Sequence, residues 1–160
     1  MKQLVIIPTY NEKENIEAIV KAVFDLPVPM HVLVIDDGSP DGTADIVKRL
    51  QNDNKDRLFL IERSGKLGLG TAYITGFKWA IKELYDYIFE MDADFSHNPQ
   101  DLLRLHHALD AEGADVVVGS RYITGVNVVN WPMGRVLMSY FASMYVRTVL
   151  GINVRDTTAG

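Results

Sequence analysis

The sequence contains no cysteine, so it carries neither a disulfide framework nor a thiolate zinc site, as expected for a protein of a reducing compartment. Long apolar runs are also missing, and none approaches the roughly 20 residues that a membrane span needs. Basic residues are too few to offset the acidic ones. The formal net charge is −5, whereas a nucleic-acid-binding module normally presents a basic face. We therefore expect no nucleic-acid partner.

The N-terminal residues are not expected to form a secretory leader. The apolar run from Leu4 to Ile7 is short and ends at Pro8, unlike a signal peptide. A length of 160 residues fits one domain. Asp156 to Gly160 has the composition of a loop interior, so we expect residues 1–160 to form a single domain that is truncated at its C-terminal end.

Acidic residues are absent from one long stretch of the chain. No Asp or Glu occurs from Val116 to Val154, while Arg121, Arg135 and Arg147 lie inside it. A stretch with cations and no acids is suited to an anionic ligand or surface.

Apolar runs of strand length alternate with helical patterns, which indicates a mostly parallel sheet covered by helices. The strands are predicted at Leu4–Ile7, Val32–Ile35, Leu58–Ile61, Tyr87–Met91 and Ala114–Val118. The helices are predicted at Glu12–Phe24, Thr43–Leu50, Gly70–Leu84, Pro99–Ala111 and Val136–Leu150. The sequence therefore predicts an α/β fold with a Rossmann-like sheet.

Two carboxylates, Asp92 and Asp94, follow the fourth predicted strand. Ligands of open α/β sheets bind beyond the carboxyl ends of the strands. Mg²⁺ and Mn²⁺ favour oxygen ligands and are often held by one or two carboxylates together with substrate phosphates. The pair is therefore predicted to hold such a metal for a nucleotide diphosphate. Capping of the helix that Pro99 begins is the alternative role for Asp94 or Ser96.

The loop after the first strand offers two roles. Asn11 and Glu14 have the spacing of a capping box at the start of a helix. That role leaves Pro8 and Tyr10 unexplained, and at the ligand edge of the sheet both are suited to frame a base or a sugar.

Asp36 and Asp37 end the second strand and precede a turn-rich segment, Gly38 to Thr43, that leads into a helix. Charge beside a buried strand is costly unless it is solvated, paired or bound to a ligand. The turn explains the later residues of this segment and leaves the two aspartates as candidates for ligand binding.

A glycine-rich loop, Ser64 to Ala72, follows the third strand. It is not a Walker A loop, because Leu67 stands where Ser or Thr should follow Gly-Lys. It is not a dinucleotide fingerprint either, because that motif belongs after a first strand. We expect a flexible loop that closes over substrate.

Arg121, after the fifth predicted strand, reaches the same edge, where it would clamp a phosphate or pair with an aspartate.

The last predicted helix, Val136–Leu150, is apolar nearly all round. Its large apolar residues are Leu137, Met138, Tyr140, Phe141, Met144, Tyr145 and Val149. Such a helix is buried or faces lipid. Two interpretations stay open, namely an interfacial position and packing against residues beyond Gly160.

Six segments occur in a characteristic order: Pro8-Thr9-Tyr10-Asn11-Glu12, Asp36-Asp37-Gly38-Ser39-Pro40-Asp41-Gly42-Thr43, Lys66-Leu67-Gly68-Leu69-Gly70-Thr71-Ala72-Tyr73, Asp92-Ala93-Asp94-Phe95-Ser96-His97, Gly119-Ser120-Arg121-Tyr122 and Trp131-Pro132-Met133-Gly134-Arg135. With this set the chain closely resembles the dolichol-phosphate mannosyltransferases, within the family 2 glycosyltransferases of GT-A fold. The resemblance covers essentially the whole chain.

The resemblance implies transfer of mannose from GDP-mannose to dolichyl or another polyprenyl phosphate, with inversion at the sugar carbon. It implies that Asp92 and Asp94 hold Mg²⁺ or Mn²⁺ and that Asp94, Arg121 and Arg135 are catalytic. The donor would be bound by Pro8, Tyr10, Glu12, Ile35, Asp37, Asp92, Ala93, Asp94 and Arg121. An acceptor phosphate is already anionic at neutral pH, so such a reaction needs charge neutralisation and alignment more than a strong base.

The acceptor is expected in the acid-free stretch. Arg135 lies at the N-terminal end of the apolar helix, where its guanidinium and the free N–H groups would hold a phosphate. Leu137, Met138 and Phe141 would meet the hydrocarbon. This arrangement predicts peripheral contact with the cytoplasmic face of a membrane.

Three alternatives remain from the sequence. The donor could be another nucleotide-sugar, such as UDP-glucose. The acceptor could be a glycan hydroxyl, but this chemistry needs a general base, and no acidic residue dedicated to that task is evident after Arg121. The third alternative is a non-catalytic nucleotide-binding protein on the same fold.

Overall fold

The computed structural model describes residues 1–120, 132–152, 154, 156, 157 and 159. The chain forms two compact units, Met1–Leu103 and Arg104–Gly160. The expectation of one truncated domain stays a prediction.

A parallel sheet lies in the first unit. Its strands are β1 (Gln3–Thr9), β2 (His31–Asp36), β3 (Leu58–Glu62) and β4 (Tyr87–Glu90). They are ordered β3-β2-β1-β4, so β1 is flanked by β2 and β4. All four lie where the apolar runs predicted strands, and the predicted parallel sheet is confirmed.

Helices connect these strands. In the first unit they are α1 (Ile16–Phe24), α2 (Thr43–Gln51) and α3 (Leu69–Lys82). Helix α4 (Asp101–Glu112) continues across the boundary between the units, and α5 (Met133–Leu150) belongs to the second unit.

One face of the sheet packs against α3. The buried cluster on this face consists of Leu4, Ile6, Leu33, Ile35, Ala72, Tyr73 and Ala80. Alternation along β1 directs Val5 and Ile7, which are fully buried, to the opposite face. Right-handed crossovers bring α1 and α2 to that opposite face, because each connects neighbouring parallel strands. Each fully buried aliphatic side chain contributes roughly 1.5–3 kcal/mol of transfer free energy.

Close packing explains a glycine on α3. A Cβ atom on Gly76 would stand 2.7 Å from Cδ1 and 2.9 Å from Cγ2 of Ile6, and 3.1 Å from Cδ1 of Ile35. The helix therefore approaches the sheet to a distance that only glycine permits at this position.

The prediction of a fifth strand at Ala114–Val118 is wrong. These residues form no strand, and Val116 is 76% exposed. The run has the residue types of a buried strand, but a strand also needs a neighbour to pair with, and tertiary context decides that.

Candidate active site

The loops that follow β1, β2, β3 and β4 share one edge of the sheet, because all four strands run parallel. This edge is where a ligand is expected in an open α/β sheet. It brings together residues 8–13, 36–43, 63–72 and 91–98.

The loop after β1 is held by the loop after β2. Three consecutive backbone N–H groups of the first loop donate to side chains of the second: Asn11 to Ser39 Oγ at 3.0 Å, Glu12 to Thr43 Oγ1 at 3.0 Å and Lys13 to Asp41 Oδ2 at 3.1 Å. The turn-rich segment between Gly38 and Thr43 therefore does more than lead into α2. It fixes the backbone next to Tyr10.

The predicted capping box at Asn11 and Glu14 is wrong. Helix α1 begins at Ile16, and its N-cap residue, Asn15, makes no side-chain capping bond. Asn11 has a φ of 62°, a left-handed conformation that asparagine tolerates better than most residues. The bonds to the neighbouring loop hold the chain in this turn, so helix formation is delayed by four residues from the predicted start at Glu12.

Asp36 is buried and fully engaged by protein groups. Its Oδ1 accepts hydrogen bonds from Thr9 Oγ1 at 2.9 Å and Ser39 Oγ at 2.6 Å, and its Oδ2 accepts one from the Ser39 N–H at 2.8 Å. The structure therefore shows the Asp36 carboxylate stabilised by hydrogen bonds from neutral groups of the protein.

Asp37 is paired as well. Arg63 Nε donates to Asp37 Oδ1 at 2.5 Å, and Arg63 Nη2 makes an ion pair with the same oxygen. The Leu67 N–H donates to Asp37 Oδ2 at 3.1 Å. Both side chains are almost completely buried, so Asp37 ties the end of β2 to the loop that follows β3.

A pocket of about 140 Å³ lies between these loops. It is lined by Pro8, Thr9, Tyr10, Asp37, Lys66, Gly68, Leu69 and Ala72. Lys66 Nζ stands 4.5 Å from the centroid of the Tyr10 ring, a cation–π contact at the side of the pocket. The pocket is thus lined by the aromatic ring of Tyr10, the carboxylate of Asp37 and the ammonium group of Lys66.

The pocket brings together three of the predicted donor residues, Pro8, Tyr10 and Asp37. Ile35 does not line the pocket, because its side chain is fully buried in the hydrophobic core under α3. Glu12 is partly buried, and its Oε2 accepts a hydrogen bond from Asn15 Nδ2 at 2.9 Å. The donor roles of all these residues stay predictions.

The sequence pattern gave no sign of the role of Arg63, and it assigned Lys66, Gly68, Leu69 and Ala72 only collectively, as part of a loop that closes over substrate. The glycine-rich loop was the available signal, since it follows β3 at the ligand edge. Its flexibility stays a prediction, and in the structure Arg63 and Asp37 hold the loop through Gly68 O and the Leu67 N–H.

The two candidate metal ligands follow β4. Asp92 is partly buried and its Oδ1 accepts a hydrogen bond from Tyr73 Oη at 3.4 Å. Its backbone N–H donates to His97 Nδ1 at 3.3 Å. Ala93 is buried, and the Asp94 side chain is exposed. The acids therefore flank a buried residue at the end of the strand.

Asp94 belongs to a tight turn rather than to a helix cap. Its Oδ1 accepts a hydrogen bond from the Ser96 N–H at 2.9 Å, and Phe95 between them has a φ of 59°. Helix α4 begins only at Asp101, after a turn in which Asn98 Oδ1 accepts from the Gln100 N–H. The alternative that Asp94 or Ser96 caps this helix is therefore wrong.

Local contacts set the charge of the acids around this turn. Although the Asp94 side chain is exposed, neighbouring groups displace part of its hydration, and this partial desolvation is the largest influence on its pKa and raises it. Hydrogen bonds from Ser96 and the charge of His97 outweigh that effect, so the pKa of Asp94 lies below its ordinary value. Partial desolvation, followed by the charge of Asp92, raises the pKa of Glu90. Asp94 is therefore the acid that the turn keeps ionised.

The donor set fits a divalent metal. Among the described residues, no group of three or more His, Cys, Asp or Glu side chains could hold a metal ion. Two carboxylates from Asp92 and Asp94 match the sites in which Mg²⁺ or Mn²⁺ is completed by water and substrate phosphates. Their oxygen chemistry suits these hard cations better than Zn²⁺, which prefers nitrogen and sulfur.

The predicted acceptor residues lie on α5. Arg135 is in its first turn, and Leu137, Met138 and Phe141 are 48%, 74% and 54% exposed. Within the part of the chain that the structure describes, no helix is both long and apolar enough to cross a membrane. Arg121 lies outside the described residues.

Comparison with known proteins identifies the family. Residues 4–159 match the model of glycosyl transferase family 2. The chain is 48% identical over 159 residues to polyprenol monophosphomannose synthase of Mycolicibacterium smegmatis, a match that covers 99% of this chain and 60% of that protein. It is 44% identical over 160 residues to undecaprenyl-phosphate mannosyltransferase of Micrococcus luteus, covering 100% of this chain and 65% of that protein.

A solved structure is similar as well. The mannosyltransferase PcManGT from Pyrobaculum calidifontis, in complex with GDP-Man and Mn²⁺, superposes with a TM-score of 0.53 at 31% identity, over 58% of this chain and 27% of that chain. The chain spans less than two thirds of the length of the two curated relatives. Sequence and fold agree, and the chain belongs to glycosyl transferase family 2, with the GT-A fold.

Proposed function

We propose that the protein transfers mannose from GDP-mannose to a polyprenyl phosphate, with inversion at the sugar carbon. The observation that carries this proposal is the placement of an aromatic pocket and the Asp92–Asp94 pair at one edge of the sheet. The nucleoside base would lie beside Tyr10, and a divalent cation held by Asp92 and Asp94 would bind the diphosphate. Two relatives named for polyprenol or undecaprenyl phosphate and a neighbour solved with GDP-Man support the choice of substrates.

In the proposed reaction, an oxygen of the acceptor phosphate forms a bond to the anomeric carbon of mannose. The bond from that carbon to the β-phosphate oxygen of GDP breaks, and its electron pair leaves with GDP. The acceptor oxygen is already ionised near neutral pH, so no side chain has to remove a proton from it. The protein mainly has to align two anions and neutralise their charge.

Side chains of this chain are assigned to these tasks. Pro8, Tyr10 and Asp37 surround the nucleoside in the pocket. Asp92 and Asp94 would hold Mg²⁺ or Mn²⁺, which supplies positive charge to the diphosphate. Arg121 and Arg135 are the proposed phosphate-binding arginines.

The acceptor is assigned to the second unit. Helix α5 carries no acidic residue, and Arg135 lies in its first turn, beside backbone N–H groups that favour an anion. The exposed side chains of Leu137, Met138 and Phe141 offer an apolar surface for the start of the lipid. The proposed location is therefore peripheral to the cytoplasmic face of a membrane.

Product analysis tests the proposal. The protein is incubated with radiolabelled GDP-mannose and Mn²⁺, in parallel with polyprenyl phosphate and with an oligosaccharide, and then with labelled UDP-glucose in place of GDP-mannose. We expect label in the lipid fraction from GDP-mannose only. Label only in the oligosaccharide would contradict the acceptor, and label only from UDP-glucose would contradict the donor. Nucleotide binding without transfer to either acceptor would favour a non-catalytic protein.

A further inference from the structure

We propose that Arg63 is a positioning residue for nucleotide binding, which shapes the pocket by fixing Asp37 and the loop of residues 64–68. The inference rests on the proposed function in taking a nucleoside diphosphate as the ligand. Arg63 does not line the pocket itself, so its effect must pass through the residues that it holds.

The guanidinium of Arg63 uses all three of its nitrogen atoms. Nε and Nη2 contact Asp37 Oδ1. Nη1 donates to Thr71 Oγ1 at 2.7 Å, and Nη2 also donates to Gly68 O at 3.1 Å. The Arg63 side chain is only 8% exposed, although its neighbours in the loop are mostly exposed. One buried group therefore connects the end of β2, the loop and the first turn of α3.

The loop is also held by the second carboxylate oxygen of Asp37. While Oδ1 contacts Arg63, Oδ2 accepts a hydrogen bond from the Leu67 N–H at 3.1 Å. Residues 64–68 are thus fixed at Leu67 by the carboxylate and at Gly68 by the guanidinium. Lys66 and Gly68, which line the pocket, flank Leu67. The Thr71 hydroxyl, which Arg63 contacts, also donates towards Leu67 O at 3.0 Å and Gly68 O at 2.8 Å. The position of this wall therefore depends on the Asp37–Arg63 pair together with Thr71.

Arginine is specifically suited to this role. Its planar fork presents five N–H donors in fixed directions, whereas lysine offers one compact ammonium. A lysine at position 63 can remain paired with Asp37 but cannot hold Thr71 and Gly68 at the same time. Arg63→Lys is therefore expected to preserve the buried charge pair while releasing the loop.

Nucleotide affinity, loop protection and stability are measured on the same purified variants. Arg63→Lys is compared with Thr71→Val, which removes one partner of Arg63 and also the direct contact of the Thr71 hydroxyl with Leu67 O and Gly68 O. It is also compared with Arg49→Lys, whose arginine forms an exposed ion pair with Glu17. Calorimetry with Mn²⁺ gives the dissociation constants for GDP and UDP. Amide hydrogen exchange reports on residues 64–72, and thermal unfolding reports on the fold.

We expect Arg63→Lys to bind whichever nucleotide the wild type binds roughly tenfold more weakly. We also expect faster exchange at residues 64–72 with little change in Tm. Thr71→Val should show a smaller loss of the same kind, and Arg49→Lys should match the wild type.

Three results would overturn the inference. The first is that the wild type binds GDP or UDP and Arg63→Lys binds the same nucleotide with unchanged affinity. This result would not affect the proposed function. The second is a fall in Tm with faster exchange throughout the first unit, because that indicates a general structural role. The third is a wild type that binds neither nucleotide, which would overturn the proposed function as well. Binding of UDP but not GDP would contradict only the donor.

Discussion

Tyr73 donates its hydroxyl proton to Asp92 Oδ1 across 3.4 Å and so joins α3 to the end of β4. Burial, followed by the charges of Asp92 and Glu90, raises the pKa of Tyr73 well above its ordinary value. The phenol therefore stays protonated at neutral pH and is the hydrogen-bond donor of this pair. Ala72, the preceding residue, lines the pocket. The same turn of α3 thus contacts both the pocket and the acidic turn.

Asp94→Asn should abolish most of the activity while leaving the fold intact. The Asp94 side chain is exposed and its hydrogen bond from the Ser96 N–H lies within its own turn, so we expect only a small fall in Tm. Loss of one proposed metal ligand should reduce kcat/KM for GDP-mannose by roughly 10²-fold or more.

The matched control is Asp45→Asn, which changes an exposed aspartate on α2. Turnover is measured over a series of Mn²⁺ concentrations, with Tm recorded for both variants. If Asp94→Asn keeps wild-type turnover and the same metal requirement, Asp94 is not a metal ligand.

Gly76→Ala should destabilise the protein in spite of the better helix propensity of alanine. The propensity gain is about 1 kcal/mol, but the new Cβ would overlap Ile6 and crowd Ile35, and overpacking of a core costs roughly 1–3 kcal/mol. We expect a net loss of about 1 kcal/mol in the free energy of unfolding, measured in urea.

Ile6→Val provides the partner substitution, because it removes the Cδ1 atom that stands nearest to the added Cβ. The double variant should lose less stability than the sum of the two single variants. Strict additivity would show that this contact does not limit the approach of α3.

His31 should make the protein sensitive to acid. Burial is the main cause of its lowered pKa, followed by the charges of Lys2 and Arg57. The folded state therefore resists protonation of His31, so the unfolded state binds more protons as the pH falls below about 6.5. The contribution of the neutral imidazole to stability is complete above that pH and is lost below it.

His31→Gln removes the titration and keeps a polar side chain next to Tyr85 Oη, which His31 Nδ1 contacts at 2.7 Å. We expect the fall in Tm between about pH 7 and about pH 5 to be smaller in this variant than in the wild type. His107→Gln, an exposed position on α4, is the control. An identical fall in Tm for His31→Gln and the wild type would exclude this role.

Helix α5 should allow donor and acceptor binding to be separated. Arg135→Ala should reduce turnover with the lipid phosphate by at least roughly tenfold and leave the affinity for GDP-mannose nearly unchanged, because its proposed partner is the acceptor phosphate. Single-substrate titrations of the donor and the acceptor distinguish these effects.

On the same helix, Met138→Asp should weaken sedimentation with anionic vesicles, since Met138 is 74% exposed. Leu150→Asp is the control, because Leu150 is 64% exposed and lies about 120° from Met138 and about 180° from Phe141 around the helix. Tm is measured in parallel, because a helix that packs against other residues would lose stability. A stable Met138→Asp variant with normal vesicle binding and normal lipid turnover would remove α5 from the acceptor site.

Strand positions were predictable because each lies in an apolar run that ends at a turn. The run at Ala114–Val118 has the same appearance, yet it forms no strand. None of its residues is buried, because both burial and strand pairing depend on neighbouring elements that the run itself does not specify.

The candidate site was predictable in its location and less so in its contacts. Pro8, Tyr10, Asp92 and Asp94 could be proposed from their positions at strand ends. The pairing of Asp37 with Arg63 could not, because the two residues are separated by 26 positions and meet only through the sheet. The start of α1 was missed for the same reason, since contacts from a distant loop override the local capping signal.

The three N–H bonds between the loops after β1 and β2 have a consequence for mutational tolerance. The first loop contributes only backbone groups to these bonds, whereas the second contributes the side chains of Ser39, Asp41 and Thr43. Lys13 should accept almost any residue except proline, and only the positive φ of Asn11 should restrict that position. Much of the information that shapes the loop beside Tyr10 is therefore encoded about thirty residues further along the chain.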